Sequence, residues 1–197
     1  MNTLKAEKRT MDKNAKRLRR EGYVTGNVFG KEMEGSIPLK MEKSDVEKLL
    51  KTSNKGSQIM LDVDGQSYDV LIKEIQFNPL KGQVDEIDFQ ALVSNEKVHS
   101  VAEIVLVNHD KLATGVLQQH LEEISFRALP SALVDKVMVD VGDMKVGDVI
   151  KVKDLAIAQD KDVDLKTDLE AAVVSVAAVH VDPALEAEEE AAEEETK

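Results

Sequence analysis

The chain of 197 residues has no cysteine and no tryptophan, and its aromatic side chains are two tyrosines and four phenylalanines. Without thiols it forms no disulfide and no thiolate metal site, and a reducing compartment is the expected setting. Aromatics make up 3% and hydrophobic residues 42% of the sequence, so any core must be aliphatic. No apolar run approaches the roughly 18 residues that a membrane helix needs. The opening stretch MNTLKAEKRT lacks the apolar segment of a secretory signal. The expectation is a soluble cytosolic protein with no membrane contact.

Catalytic and metal-binding patterns are missing as well. The sequence has no GxxxxGK[ST] phosphate loop and no GxSxG nucleophile elbow. His99, His109, His120 and His180 are not spaced as ligand pairs, and read as ordinary surface or strand histidines. The acidic run DKDVDLKTDLEA lacks the glycine that an EF-hand loop places at its sixth position. Asp62 and Asp64 belong to a turn signal. No cofactor, metal or catalytic role is expected, and the chain reads as a non-enzyme.

What the sequence does contain is a sharp division of charge. The formal net charge is -12, yet residues 1–31 hold 9 basic and 3 acidic side chains. Residues 1–94 carry +1, residues 95–185 carry -7 and residues 186–197 carry -6. The basic head is densest in KNAKRLRREG, where Lys13, Lys16, Arg17, Arg19 and Arg20 fall within ten residues. Charged partners respond to local patches within about a Debye length, ~8 Å at physiological salt, rather than to the whole-chain balance. Clustered cations can neutralise phosphates and release condensed counterions, and Arg suits bidentate phosphate contacts. A solvated helix face would carry the same residues. The apolar side is too thin for a membrane-surface helix. Tyr23 and Phe29 flank the stretch, and could stack on bases or serve a core.

The pattern of elements is mainly β with a few helices, an α+β chain. TLKAEKR alternates weakly as a strand. DKNAKRLRREG reads as a short helix with Asp12 as N-cap and Gly22 as stop. YVTGNVFG is β-like, and Gly26 within it signals a bulge or a close backbone approach. GSIPLKM is extended. KSDVEKLLKTSNKG reads as a helix with Ser44 as cap, Glu47 completing a capping box, and Val46, Leu49 and Leu50 as its apolar side. SQIMLDVDGQSYDVLIKEIQF carries two β-rich runs around Asp64-Gly65, a dipeptide suited to a type I′ hairpin. NPLKG turns again, and EIDFQALV is a strand able to close a small sheet or barrel. SNEKVHS resembles a linker, which sets a boundary near Ser94. Beyond it, VHSVAEIVLVNHD, DKVMVDVGD, GDVIKVKDL and AAVVSVAAVHV read as short strands, with one helical turn at LPSALVD. The expected organisation is a β-barrel domain over 1–94, a second all-β domain over 95–185, and an acidic disordered tail over 186–197.

KRLRREGYVTGNVFGK followed by IKEIQFNPLKGQVDEIDF resembles the bacterial large-subunit ribosomal protein numbered twenty-five, a family that binds 5S ribosomal RNA. GVLQQHLEEISFRALPSALVDKVMVDVGDMKVGDVIKVKDL resembles the second domain of its long form, the general stress protein Ctc. The resemblance covers nearly the whole chain except the acidic tail. It implies a small RNA-binding barrel docked on the loop E region of 5S RNA within the large ribosomal subunit, in the cytoplasm. It implies RNA contacts from Arg9, Lys13, Lys16, Arg17, Arg19, Arg20, Phe29, Lys73, Glu86 and Asp88. The acidic second domain is expected to project from the RNA or to contact neighbouring ribosomal proteins, since phosphate repels it.

Three positions depart from the family's usual residues. Thr25 stands where proline is common, Phe29 where tyrosine is usual, and Glu86 where histidine is usual. An anion at Glu86 weakens binding to phosphates unless a cation such as Lys73 compensates. The alternative function is a stress-related binding protein with weakened or absent ribosome association.

Overall fold

The computed structural model describes residues 2–10, 12–33, 35–111 and 115–178. The expected tail over 186–197 lies outside the described residues. The chain is mostly β, as the turn signals and alternation predict.

The first unit is a closed barrel. Its elements are β1 (Thr3–Lys8), α1 (Ala15–Arg20), β2 (Tyr23–Phe29), β3 (Ile37–Glu42), α2 (Lys43–Leu50), β4 (Gln58–Val63), β5 (Gln66–Asn78) and β6 (Gln83–Ala91). The strands run around the barrel in the order β1-β3-β2-β6-β5-β4. Two pairings are parallel, β1 with β4 and β2 with β6. Alternation decides what faces inward: Leu4, Val28, Leu39, Ile59, Leu61, Ile87 and Phe89 fill the interior and are buried. Phe89 is the one aromatic fully buried in this aliphatic filling.

Local signals act as expected at one turn and one strand glycine and differ at two helix starts. Asp64 and Gly65 have φ of 52° and 88°, the left-handed pair a type I′ hairpin requires. Gly26 marks a close approach rather than a bulge. Its registers with β3 and β6 run without interruption, and a Cβ there would sit 1.9 Å from the Ile87 carbonyl oxygen. Asp12 does not cap α1: Asn14 takes the N-cap position without a side-chain hydrogen bond. Ser44 does not cap α2, because β3 runs straight into the helix and Glu42 becomes its N-cap. Ser44 thus falls inside the first turn. Val46 and Leu49 are buried as the periodicity predicts.

The second unit contains β7 (Val98–Val107), β8 (Val116–Gln119), β9 (Glu123–Ala128), β10 (Lys136–Asp140), β11 (Val149–Lys151), β12 (Val163–Leu165) and β13 (Ala172–Ala177). They form a four-stranded sheet, β10-β7-β9-β12, and a three-stranded sheet, β11-β13-β8. Ile104, Ile124, Phe126, Val139, Val152 and Val174 are buried in one cluster that draws on both sheets and the turns between them. GDVIKVKDL is a strand only to Lys151. There Asp154 Oδ2 accepts from the Lys151 backbone N–H at 3.0 Å, and residues Val152–Asp154 turn as a 3-10 helix.

The two units meet along a polar seam. Lys55 Nζ reaches Glu123 Oε2 at 2.8 Å, Ser57 Oγ donates to Asp135 Oδ2 at 3.2 Å, and Asn54 Nδ2 donates to Glu103. Gly56 lies at the closest point. Its φ is +88°, and a Cβ would stand 2.0 Å from the Val101 carbonyl oxygen.

Candidate nucleic-acid interface

The basic stretch folds into α1, which packs against β2 through its buried Leu18. Gly22, with φ of +92°, ends the helix and turns the chain into β2. Anchoring only Leu18 leaves Lys13, Lys16, Arg17 and Arg20 exposed, with Arg19 half-buried. Some of this charge is met internally. Glu21 accepts from Arg17 Nε at 2.9 Å and lies 3.5 Å from Lys13 Nζ. Glu21 titrates below the usual carboxylate range, first through the Arg17 hydrogen bond. Lys16 and Arg20 have neither hydrogen bond nor ion pair through their side chains among the described residues. Arg9 donates from a guanidinium nitrogen to the Lys13 carbonyl at 3.0 Å, tying β1's end to the approach of α1.

Arg19 is the joint between helix and sheet. Its Nη1 lies 3.3 Å from Asp85 Oδ2, with the two side chains 29% and 17% exposed. Asp85 also accepts from Asn78 Nδ2 at 3.0 Å and Gln83 Nε2 at 3.2 Å. The Asn78 hydrogen bond foremost, with those from Gln83 and the Arg19 charge added, holds the Asp85 carboxyl below its ordinary pKa against the opposing effect of burial. The Nε atoms of both Arg9 and Arg19 are buried without a partner among the described residues.

Beside the helix, β2 and β6 pair in parallel, with Thr25 opposite Glu86, Asn27 opposite Asp88 and Phe29 opposite Gln90. Thr25 is buried, its hydroxyl donating to the Asp85 carbonyl oxygen at 3.3 Å, while Asn27, Phe29, Glu86 and Asp88 are at least partly accessible. Phe29 is 38% exposed, so it is a surface ring and not part of the core. Asp88 Oδ1 accepts from the Asn27 backbone N–H at 3.1 Å and from Asn27 Nδ2 at 3.2 Å. Glu86, half-buried, has neither hydrogen bond nor ion pair through its carboxylate among the described residues.

Of the ten residues expected at the site, six lie on α1 or at its approach and three on the β2–β6 face. Lys73 sits apart, at a register shift in β5 between Ile72 and Glu74. Its Nζ donates to the His99 carbonyl oxygen at 2.8 Å across the seam, so it forms no ion pair with Glu86. Burial pushes its pKa down, and the Lys55 charge adds to this. Sequence reasoning missed Asn27 and Asp85. Alternation from Phe29 would have put Asn27 on the same face. The turn before Asp85 is signalled by NPLKG, but the pairing of Asp85 with Arg19 on α1 joins residues far apart in sequence, which no local pattern reveals.

Comparison with known proteins agrees with this architecture. Residues 4–89 match the Ribosomal L25p family, and residues 97–180 match the ribosomal protein TL5 C-terminal domain. The chain is 32% identical over 179 residues to large ribosomal subunit protein bL25 of a Thermoanaerobacter species, covering 89% of this chain and 88% of the relative. It is 32% identical over 197 residues to the protein of that name from Bacillus velezensis, covering 98% and 94%. The Listeria monocytogenes bL25 is 31% identical over 180 residues, covering 89% and 86%. With the barrel and the second β unit both matched in order, the chain belongs to the bL25 family of ribosomal proteins, in its long two-domain form.

Proposed function

We propose that the chain is a structural, non-enzymatic constituent of the large ribosomal subunit that binds 5S ribosomal RNA through α1 and the β2–β6 face. The observation that carries this reading is Lys16 and Arg20, unpaired among the described residues, beside a sheet face that offers a ring, an amide and a fixed carboxylate. The cations of α1 hold phosphates and fix register. The strands then meet the wide, shallow minor groove of an A-form RNA, where base edges and 2′-hydroxyls are accessible. With Asp88 Oδ1 held by Asn27, its second oxygen accepts from a base amino group or a 2′-hydroxyl. Phe29 packs its ring against a sugar or base, without the hydroxyl a tyrosine would add.

Residues 1–94 act as the RNA-binding domain in this reading. Residues 95–185, at net -7, form the second domain, which points away from phosphate and toward neighbouring ribosomal proteins. Ribosome association places the protein in the cytoplasm. No helix among the described residues is long and apolar enough to cross a membrane.

Gel-shift titration of 5S RNA tests the reading: binding falls in Arg17→Ala and Arg20→Ala and weakens with salt. Binding indifferent to both overturns it. A second reading, a stress-related protein with weakened ribosome association, is favoured by the uncompensated carboxylate of Glu86. Sedimentation separates the two, since a protein of the second kind stays in the soluble fraction at low salt and never travels with large subunits.

A further inference from the structure

Two large apolar side chains stand outside both cores at the tip of the β5–β6 hairpin, Phe77 at 59% and Leu80 at 97% exposure. Single exposed apolar residues need no explanation, but this pair sits on an arm that is held in place. Asn78 and Gln83 at the two strand ends both donate to Asp85, which Arg19 of α1 also engages. Lys43 Nζ at the start of α2 donates to Gln83 Oε1 at 2.9 Å. Within the turn, the Lys81 N–H donates to the Asn78 carbonyl at 3.2 Å, and Gly82 adopts φ of +59°. The tip is therefore fixed to both helices while its two apolar side chains remain uncovered.

We propose that this tip is a second arm of the RNA contact, in which Phe77 stacks on an unpaired or non-Watson–Crick base adjoining the stretch held by α1, and Leu80 packs beside it. The proposal rests on the RNA-binding reading. Charge complementarity selects RNA as the occupant. The apolar pair is bordered by Lys81 in the turn, whose side chain has neither hydrogen bond nor ion pair among the described residues, while at its base Arg19 is paired with Asp85 and Lys43 with Glu47, so the positive charge beside the apolar pair is that of Lys81. Every base offers a π-face, so a phenyl ring beside a cation stacks without needing a particular sequence.

The test uses the full-length chain and a 5S RNA transcript. The protein has no tryptophan, so Phe77→Trp introduces a unique fluorophore at the tip. Its emission is expected to be quenched as RNA is added. Phe77→Ala and Leu80→Ala are expected to melt with the wild type, because both side chains are exposed. Phe77→Ala is expected to lower affinity roughly five- to a hundred-fold, with an unchanged dependence on salt because no counterion-releasing cation is lost. Unchanged emission on binding, or wild-type affinity in both alanine variants, overturns the tip contact and leaves the RNA reading standing. Failure of the wild-type chain to bind overturns both. If the variants bind isolated RNA normally but fail to enter large subunits, the tip docks on a protein and the proposal is wrong.

Discussion

Asn27 places both of its donors, the backbone N–H and Nδ2, on the same oxygen of Asp88 across the parallel β2–β6 pairing. The carboxylate is thereby aimed, with one oxygen engaged inside the protein and the other left for a ligand. Asp88→Ala should cost about 1 kcal/mol in stability, since the Asn27 donors lose their acceptor. It should also cost several-fold in 5S RNA affinity. Asn27→Ala should retain the backbone contact and lose affinity only through poorer aiming. Urea midpoints and filter binding on the two variants separate these effects, and equal RNA affinity for Asp88→Ala and wild type would remove Asp88 from the site.

The cations of α1 differ in what they do within the protein. Lys16 and Arg20 have no partner for their side chains among the described residues, so their alanine variants should keep the wild-type melting temperature. Each should lower the slope of log affinity against log salt by roughly 0.7–0.9. Arg19→Ala should lose affinity and also about 0.5–1 kcal/mol of stability, a modest figure because its pair with Asp85 is partly exposed. A salt slope that is identical in wild type and Arg20→Ala would show that this helix does not touch phosphate.

Glu86 stands on the same face as Asp88, with no hydrogen bond or ion pair to its carboxylate among the described residues. Glu86→Gln should therefore leave the denaturation midpoint within about 0.5 kcal/mol of wild type while tightening RNA binding. Glu86→His should tighten it further by restoring a donor. Protection of 5S RNA in footprinting is the readout, and a weaker footprint for both variants would mean that this anion is itself an acceptor for RNA.

The Asp85 hub makes a pH-dependent contribution. Its folded pKa lies below the ordinary value of 3.8, foremost through the Asn78 hydrogen bond. A depressed carboxylate pKa contributes stability that is present above the unfolded value and lost as pH falls through the folded one. Asp85→Asn should thus be destabilising at pH 7, and its deficit should shrink as the pH drops below 3.8. Parallel urea titrations across that range check the sign. A deficit that grows on acidification would contradict it.

At the seam, Gly56→Ala meets both a left-handed φ of +88° and the Val101 carbonyl at 2.0 Å. The substitution should cost more than about 1 kcal/mol and increase protease cleavage in the connection at residues 92–97. An unchanged urea midpoint would show that the seam yields without cost.

Much of the barrel was legible because its signals are local. Asp64-Gly65 names its own turn type, and alternation in β1, β4 and β6 names the buried side. What was not legible depends on residues far apart in sequence. Gly26 announces a close approach, but only the β2–β6 pairing reveals that Ile87 is what approaches. The start of α2 is not legible because a strand flows into the helix without a loop, leaving Ser44 past the position where a cap is useful. Among the site residues, the cations of α1 could be read from charge alone. Lys73 could not be placed, since its destination is a carbonyl on the far side of a domain seam.

The parallel pairings have a consequence for the order of events during synthesis. β1 is made first but has no parallel partner until residues 60–63 exist, and β2 must wait for residues 86–90. At about 5–20 residues per second, that wait is several seconds of chain growth. Such long-range pairings also slow folding once the chain is complete. Through this interval the segment that becomes α1 carries its full positive charge with no finished sheet to pack on. The cationic segment is thus exposed before the aromatic and carboxylate face beside it has formed; on the RNA-binding reading proposed above, attraction to a polyanion precedes selectivity among polyanions in the life of the chain.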